Sequence, residues 1–171
     1  MNKETAAALY RRLYRLFDGV TPLKTDCGVL CGAACCKGDG KTGMRLFPGE
    51  ETSLPAAETP DGRFALCCGA CEREARPLAC RIFPFFPIPD KNGRIAVQAD
   101  PRAVNLCPLA RQAQTVAFDR RFLRRVKKAG VLLAKEPECL AFLRETAAEF
   151  EEIYAMRRLL TAGEETEEEE T

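Results

Sequence analysis

The sequence predicts a mainly α protein: a small helical domain with an irregular Cys-rich centre and one small β-hairpin. Three observations lead there. Apolar residues recur at helical spacing near both ends of the chain, before residue 19 and after residue 117. Nine of the ten cysteines lie between Cys27 and Cys107, in segments broken by glycine and proline. Strand-like alternation that follows a tight-turn signal is confined to a few residues near 94–99. At 171 residues one domain is expected, spanning 1–163, with the cysteines in 26–108 and C-terminal helices in 109–161. Residues 164–171, EETEEEET, are expected to be a disordered acidic tail, since like charges repel and nothing apolar is there to bury.

In chain order, Ala6, Leu9, Tyr10, Leu13, Leu16 and Phe17 form the apolar stripe of a first helix over residues 3–18. Gly19 then caps it and Thr21-Pro22 prevents continuation. Asp26 is placed to cap the segment that follows. Cys27, Cys31 and Cys35 are four residues apart, which on a helix aligns three sulfurs, although Gly28 and Gly32 make a mixed loop and helix equally compatible. A short helix is expected from Pro48, with Glu50 and Glu51 in its solvated first turn. Pro60-Asp61-Gly62 is a turn, and Phe64-Ala65-Leu66 a short strand leading to the next cysteines. The run RIFPFFPIP holds too much proline for a helix or a central strand. Asp90–Gly93 turns the chain into a hairpin strand, Arg94–Ala99. Phe118, Phe122, Leu123, Val126 and Leu133 then mark one helix, interrupted at Gly130. Pro137 opens the last, with Leu140, Leu143, Ala147, Phe150, Tyr154 and Leu160 on its inner face and Cys139 beside them as core packing.

Composition excludes several chemistries. The chain has no histidine, which removes Ser–His and Cys–His nucleophile pairs and histidine-bearing metalloprotease sites. No Walker or dinucleotide glycine loop is present; Gly38-Asp39-Gly40 reads as a turn. No apolar run reaches 18 residues, so no membrane partner is expected, and the charged N-terminus does not look secretory, which points to the cytoplasm. The net charge of +1 conceals a division: without the acidic end, 26 basic groups face 19 acidic ones, +7. Arg120, Arg121, Arg124, Arg125, Lys127 and Lys128 concentrate that charge on one helix. The expectation is a solvated face paired with Glu145, Glu149, Glu151 and Glu152; with no aromatic residues among the cations, nucleic acid is not the expected partner, while a protein partner stays open.

The cysteines carry the chemistry. A disulfide framework would need an oxidising compartment, and the adjacent pairs Cys35-Cys36 and Cys67-Cys68 lie poorly for bonding to each other. Metal is the better account, making 26–108 the metal-binding region. Thiolates at short intervals, with glycine between them, can converge on one soft ion, and Cys68-Gly69-Ala70-Cys71 has the spacing of zinc knuckles and iron–sulfur loops. All-sulfur ligation suits zinc, an iron–sulfur cluster or Cu(I), and spacing alone leaves zinc and iron–sulfur level. The candidate ligands are Cys27, Cys31, Cys35, Cys36, Cys67, Cys68, Cys71, Cys80 and Cys107, with one of Cys67 and Cys68 completing the set. Arg76 and Arg81 flank Cys80 and are candidates to hydrogen-bond ligand sulfur and offset its charge.

These segments resemble a known family. Cys-x₃-Cys-x₃-Cys-Cys from Cys27, then Cys71-x₄-Arg76-Pro77-x₂-Cys80-Arg81-x-Phe83-Pro84, then Cys107, is similar to the YkgJ-type cysteine-cluster family, described as zinc- or iron-chelating domains. The likeness covers about residues 26–110 and includes Pro48-Gly49-Glu50-Glu51. It departs in having three residues rather than two between the first cysteines, and a shorter stretch from Cys67 to Cys71. The resemblance implies metal chelation without naming a reaction. Similar segments in flagellin lysine methylases extend the expectations to an iron–sulfur enzyme or an accessory factor for protein modification or electron transfer. A zinc-stabilised interaction module using the basic helix is the third reading.

Overall fold

The computed structural model describes residues 1–69, 71–112 and 115–168, with side chains to Leu160. Helix α1 (Lys3–Arg15) is capped by Asn2, whose side chain accepts from the Thr5 amide at 2.8 Å. It buries Ala6, Tyr10 and Leu13. After the one-turn helix α4 (Pro108–Arg111) come two long helices, α5 (Arg120–Leu133), capped by Asp119, and α6 (Pro137–Glu168). Their inner residues Phe122, Val126, Leu133, Cys139, Leu143 and Phe150 join Leu13, Phe17 and Phe47 in one core. Among the described residues no helix is long and apolar enough to cross a membrane.

The mainly α expectation is corrected by the strands. The protein is mixed, 48% helical and 14% strand, with two small antiparallel sheets where one hairpin was expected. The expected hairpin is β4 (Phe85–Pro89) paired with β5 (Ile95–Ala99), register Pro87 to Val97. The proline-rich run is therefore a strand over part of its length. A two-stranded sheet consists only of edges, where a missing N–H breaks no inner ladder. The second sheet has the order β1 (Gly43–Arg45), β3 (Gly62–Leu66), β2 (Ala56–Thr59). Its outer strands escaped the sequence reading because β1 is three residues long and β2 is largely exposed, so neither carries an apolar alternation. Backbone proximity explains the register: a Cβ on Gly43 would stand 2.0 Å from the Ala65 carbonyl oxygen.

The helix expected at Pro48 is instead a reverse turn. Pro48 and Gly49 are its inner residues, Gly49 has φ +74°, and the Glu50 amide donates to the Phe47 carbonyl at 3.0 Å. Proline then glycine at the two central positions is the signature of a type II turn, which ends a helix before it begins. Gly130 is no interruption of α5. It lies against the hairpin, where a Cβ would meet Pro87 Cβ at 2.4 Å and Ile95 Cγ2 at 2.7 Å. Leu160, expected inside, is 65% exposed, because α6 has by then passed the elements that cover its inner face. The expected pairing of the basic helix also fails. Glu145 and Glu149 are held by Arg45 at 3.1 and 3.2 Å, and Arg102 adds a bond to Glu149 at 3.1 Å. The expectation for residues 164–171 falls on the last helical residues of α6, 164–168, whose side chains are not described, and on 169–171, outside the described residues.

Candidate metal centre

The first cysteine segment folds as the mixed alternative. Helix α2 (Cys27–Cys31) starts on Asp26, whose carboxylate accepts from the Gly28 amide at 2.9 Å. Gly32 and Ala33, with φ of 59° and 53°, are both left-handed and reverse the chain into a single 3₁₀ turn, Ala34–Cys36. Cys35 therefore leaves the line of Cys27 and Cys31, and its sulfur stands 4.0 Å from that of Cys36. The loop beyond is stitched to the end of β3: the Gly40 amide donates to the Cys67 carbonyl at 2.9 Å, and the Cys67 amide to Thr42 at 2.8 Å. Gly38 lies so close to Cys67 that a Cβ would come 2.2 Å from its carbonyl oxygen. Sequence-distant cysteines are thus brought together by backbone pairing.

Cys80 is carried by a short helix, α3 (Leu78–Ile82), which turns Leu78, Ala79 and Ile82 into the core and leaves Cys80 on the opposite side, half-buried. Glu50 fixes the start of that helix. Its carboxylate is 1% exposed and accepts from the Leu78 amide at 2.6 Å, the Tyr14 hydroxyl at 2.7 Å and the Phe47 amide at 3.1 Å. Burial raises its pKa against the pull of those donors. Sequence reasoning placed Glu50 in solvent. The Pro48-Gly49 turn, which tucks the next residue inward, was the available signal. Glu51 is exposed and pairs with Arg63 at 3.2 Å.

Two neighbouring cavities gather the sulfurs. The larger, about 510 Å³, is lined by Cys35, Cys36, Cys67, Cys68, Cys71 and Cys80, with apolar walls that include Met44, Leu54 and Leu106. The smaller, about 50 Å³, is lined by Cys27, Cys31, Cys35, Cys80 and Cys107 together with Arg73 and Arg81. Cys35, Cys80 and Arg76 belong to both walls, so all nine candidate cysteines are accounted for, and all ten thiols of the chain are free. Cys139 stands apart in the core, fully buried, 3.9 Å from the Tyr10 hydroxyl and 3.8 Å from the Pro48 carbonyl.

The electrostatics are those of crowded thiols. Burial pushes the Cys80 thiol up to about 12, and Cys71, Cys36 and Cys67 add to the shift. Cys27 is raised by burial and by Cys31. In the Cys35–Cys36 pair the mutual hydrogen bond makes Cys36 the first to ionise, with Arg76 assisting, and holds Cys35 protonated. Arg76 faces this group: burial opposes its charge, yet Cys36, Cys71 and Cys35 outweigh burial and raise its pKa. Its Nε is buried without a hydrogen-bond partner. Arg81 acts otherwise. Its guanidinium donates to the Arg76 and Glu74 carbonyls at 2.8 and 2.7 Å and lies over the Tyr14 ring at 4.4 Å, holding the loop before Cys80.

Comparison with family models, with curated proteins and with solved structures gives no match to this chain. The site rests on its own chemistry. Among the described residues no three Cys, Asp or Glu side chains already form a group suited to one ion. The donor set nevertheless fits a soft one. It is all sulfur, its first two segments are held together by backbone bonds, and it faces a half-buried guanidinium whose buried Nε–H is unused, of the kind that offsets thiolate charge.

Proposed function

We propose that the chain is a metal-binding protein that chelates zinc or an iron–sulfur cluster through its clustered cysteine thiolates, in the reducing environment of the cytoplasm. The observation that carries this reading is the meeting of nine free thiols, from segments up to 80 residues apart in sequence, around two adjoining cavities with Arg76 between them. The likeness of the Cys27–Cys36 and Arg76–Cys80 segments to YkgJ-type domains supports the same reading. A bound ion or cluster would supply a fixed positive centre that turns repelling thiols into ligands. The chain's own residues do the rest: Arg76 balances sulfur charge, Arg81 and Glu50 hold the turn and helix around Cys80, Gly32 and Gly40 take left-handed turns, and Gly38 lets the first loop lie against Cys67.

Anaerobic purification with elemental analysis tests the proposal. Zinc, or iron with sulfide in a brown protein, is expected; protein free of both after reconstitution would overturn it. Cys80→Ser is expected to lower metal content and the melting temperature together, because binding energy at a structural metal site is folding energy. A second reading, a zinc-stiffened module that docks an acidic protein through α5, is favoured by one observation. Among the described residues Arg120, Arg121, Arg124, Arg125, Lys127 and Lys128 enter no ion pair. Colourless, zinc-loaded protein that loses an acidic partner on Lys127→Glu/Lys128→Glu would decide for it.

A further inference from the structure

We infer that another cavity, between β1, β4 and α6, binds a neutral aromatic small molecule with one hydrogen-bonding oxygen, which Thr146 engages. None of its wall residues is a cysteine, so the site stands whether or not the thiols hold metal. The cavity measures about 370 Å³, inside the roughly 300–1,000 Å³ of small-molecule sites. Five phenylalanines line it: Phe64, Phe83, Phe85, Phe86 and Phe142. Three of them already have ring partners. Phe85 stands edge-on to Phe118 at 4.7 Å, and Phe86 and Phe142 lie 6.4 Å apart. Among the described residues Phe64 and Phe83 have none, and both are half-buried. Their rings offer a flat apolar molecule the offset and edge-on contacts that aromatic pairs prefer.

Thr146 supplies the polar contact. It lines the cavity from α6 and is 2% exposed. Among the described residues its hydroxyl makes no hydrogen bond, not even to the carbonyl four residues earlier that helical threonines often use. A buried hydroxyl without a partner is unfavourable, and valine would fill the same place in the wall without that cost. Aromatic walls give water few partners, so an oxygen on an apolar molecule is the fitting mate. The charges at the rim decide against an ion. Arg45 bonds Glu145 and Glu149 at 3.1 and 3.2 Å, and Arg102 bonds Asp100 and Glu149 at 2.9 and 3.1 Å. Neither guanidinium is left uncompensated to hold an anion. A cation fares no better, since Asp100 and Glu149 are paired and Arg45 already lies over the Phe142 ring at 4.6 Å. Asp61, the remaining acid of the wall, is exposed, where solvent and salt screen its charge. Gly43 and Met44 line the large thiol cavity as well, so β1 forms the wall between the molecule and the sulfurs.

The test titrates reduced full-length protein with 2-naphthol and follows the naphthol fluorescence, which no tryptophan obscures because the chain has none. Saturable binding of one equivalent is expected, tighter than that of 2-naphthoate or of protonated 2-naphthylmethylamine. Thr146→Val should weaken 2-naphthol by about 2–10-fold, the worth of one hydrogen bond, and leave 2-methylnaphthalene unchanged. Thr146→Leu, which puts a larger side chain into the cavity, should abolish binding of both. Thr146→Val should also melt no lower than the wild type, since the hydroxyl it loses has no partner in the protein. No saturable binding, tighter binding of either charged analogue, or unchanged binding in Thr146→Leu overturns the site. Equal loss of both ligands in Thr146→Val, or a lower melting temperature of that variant, overturns the role of Thr146. All of these outcomes leave the metal-binding reading standing, whereas metal-free protein that binds 2-naphthol as described removes that reading and keeps this site.

Discussion

Replacing Glu50 by alanine tests how α3, and with it Cys80, is held in place. The substitution strands two buried backbone donors, Leu78 N–H and Phe47 N–H, and a half-buried phenol, Tyr14. An unsatisfied buried donor costs about 1–3 kcal/mol, so the two amides together cost roughly 2–6 kcal/mol. Part of this is offset because the variant no longer buries a charge, a burial costly enough to raise the Glu50 pKa. The net expectation is a loss of about 2–4 kcal/mol at pH 7. In a chain of this length about 1 kcal/mol moves the melting temperature by roughly 2–4 °C, giving a fall on the order of 4–16 °C. Urea unfolding of reduced protein at fixed metal loading, followed by far-ultraviolet circular dichroism, measures it. The pH dependence has a definite sign. A carboxyl whose folded pKa lies above its ordinary value of 4.5 contributes fully below that value and loses contribution as pH rises through the folded pKa. The gap between wild type and Glu50→Ala should therefore be wider near pH 4.5 than at pH 7. A variant within about 0.5 kcal/mol of wild type, or a gap that widens as pH rises, would refute the anchoring role.

Two further substitutions probe the fold around the site. Gly130→Ala would gain about 1 kcal/mol on an exposed helix, but here the added Cβ meets Pro87 and Ile95, and overpacking costs about 1–3 kcal/mol. Net destabilisation by roughly 0.5–2 kcal/mol is expected, and a higher melting temperature would mean that α5 does not lie against β4 and β5 as described. Cys139→Ala should cost on the order of 1 kcal/mol through a small cavity and leave metal content unchanged, since Tyr10 still donates to the Pro48 carbonyl at 2.8 Å. Loss of metal in that variant would move Cys139 from the core to the ligands.

The chemistry of the candidate site was legible in the one-dimensional pattern. Thiols in short clusters and no histidine restrict the soft donor set before any fold is known. Its arrangement was not. Cys35 and Cys36 are neighbours in the chain, yet two left-handed residues before them leave one on the wall of both cavities and the other on the large one alone. Arg76 and Arg81 both flank Cys80 in the sequence, four residues before it and one after. One meets the thiols, while the other spends its hydrogen bonds on backbone carbonyls.

What the sequence determined by itself is what neighbours three or four residues apart decide. The cap at Asp26, the stripes of α1, α5 and α6 and the turn into β5 all follow from local periodicity and side chains that bond their own backbone. What only the tertiary structure decided depends on groups far apart in the chain. The β1–β3–β2 sheet forms through backbone bonds that leave no apolar signature. Glu145 and Glu149 pair with Arg45 of β1 and Arg102 of the 3₁₀ turn at Pro101–Asn105, which the fold brings to α6, and among the described residues no cation of α5 pairs with them. Glu50 is buried because a turn folds it under α3, nearly thirty residues ahead. Local spacing encodes a helix face; which element that face meets is encoded only by the whole chain packing at once.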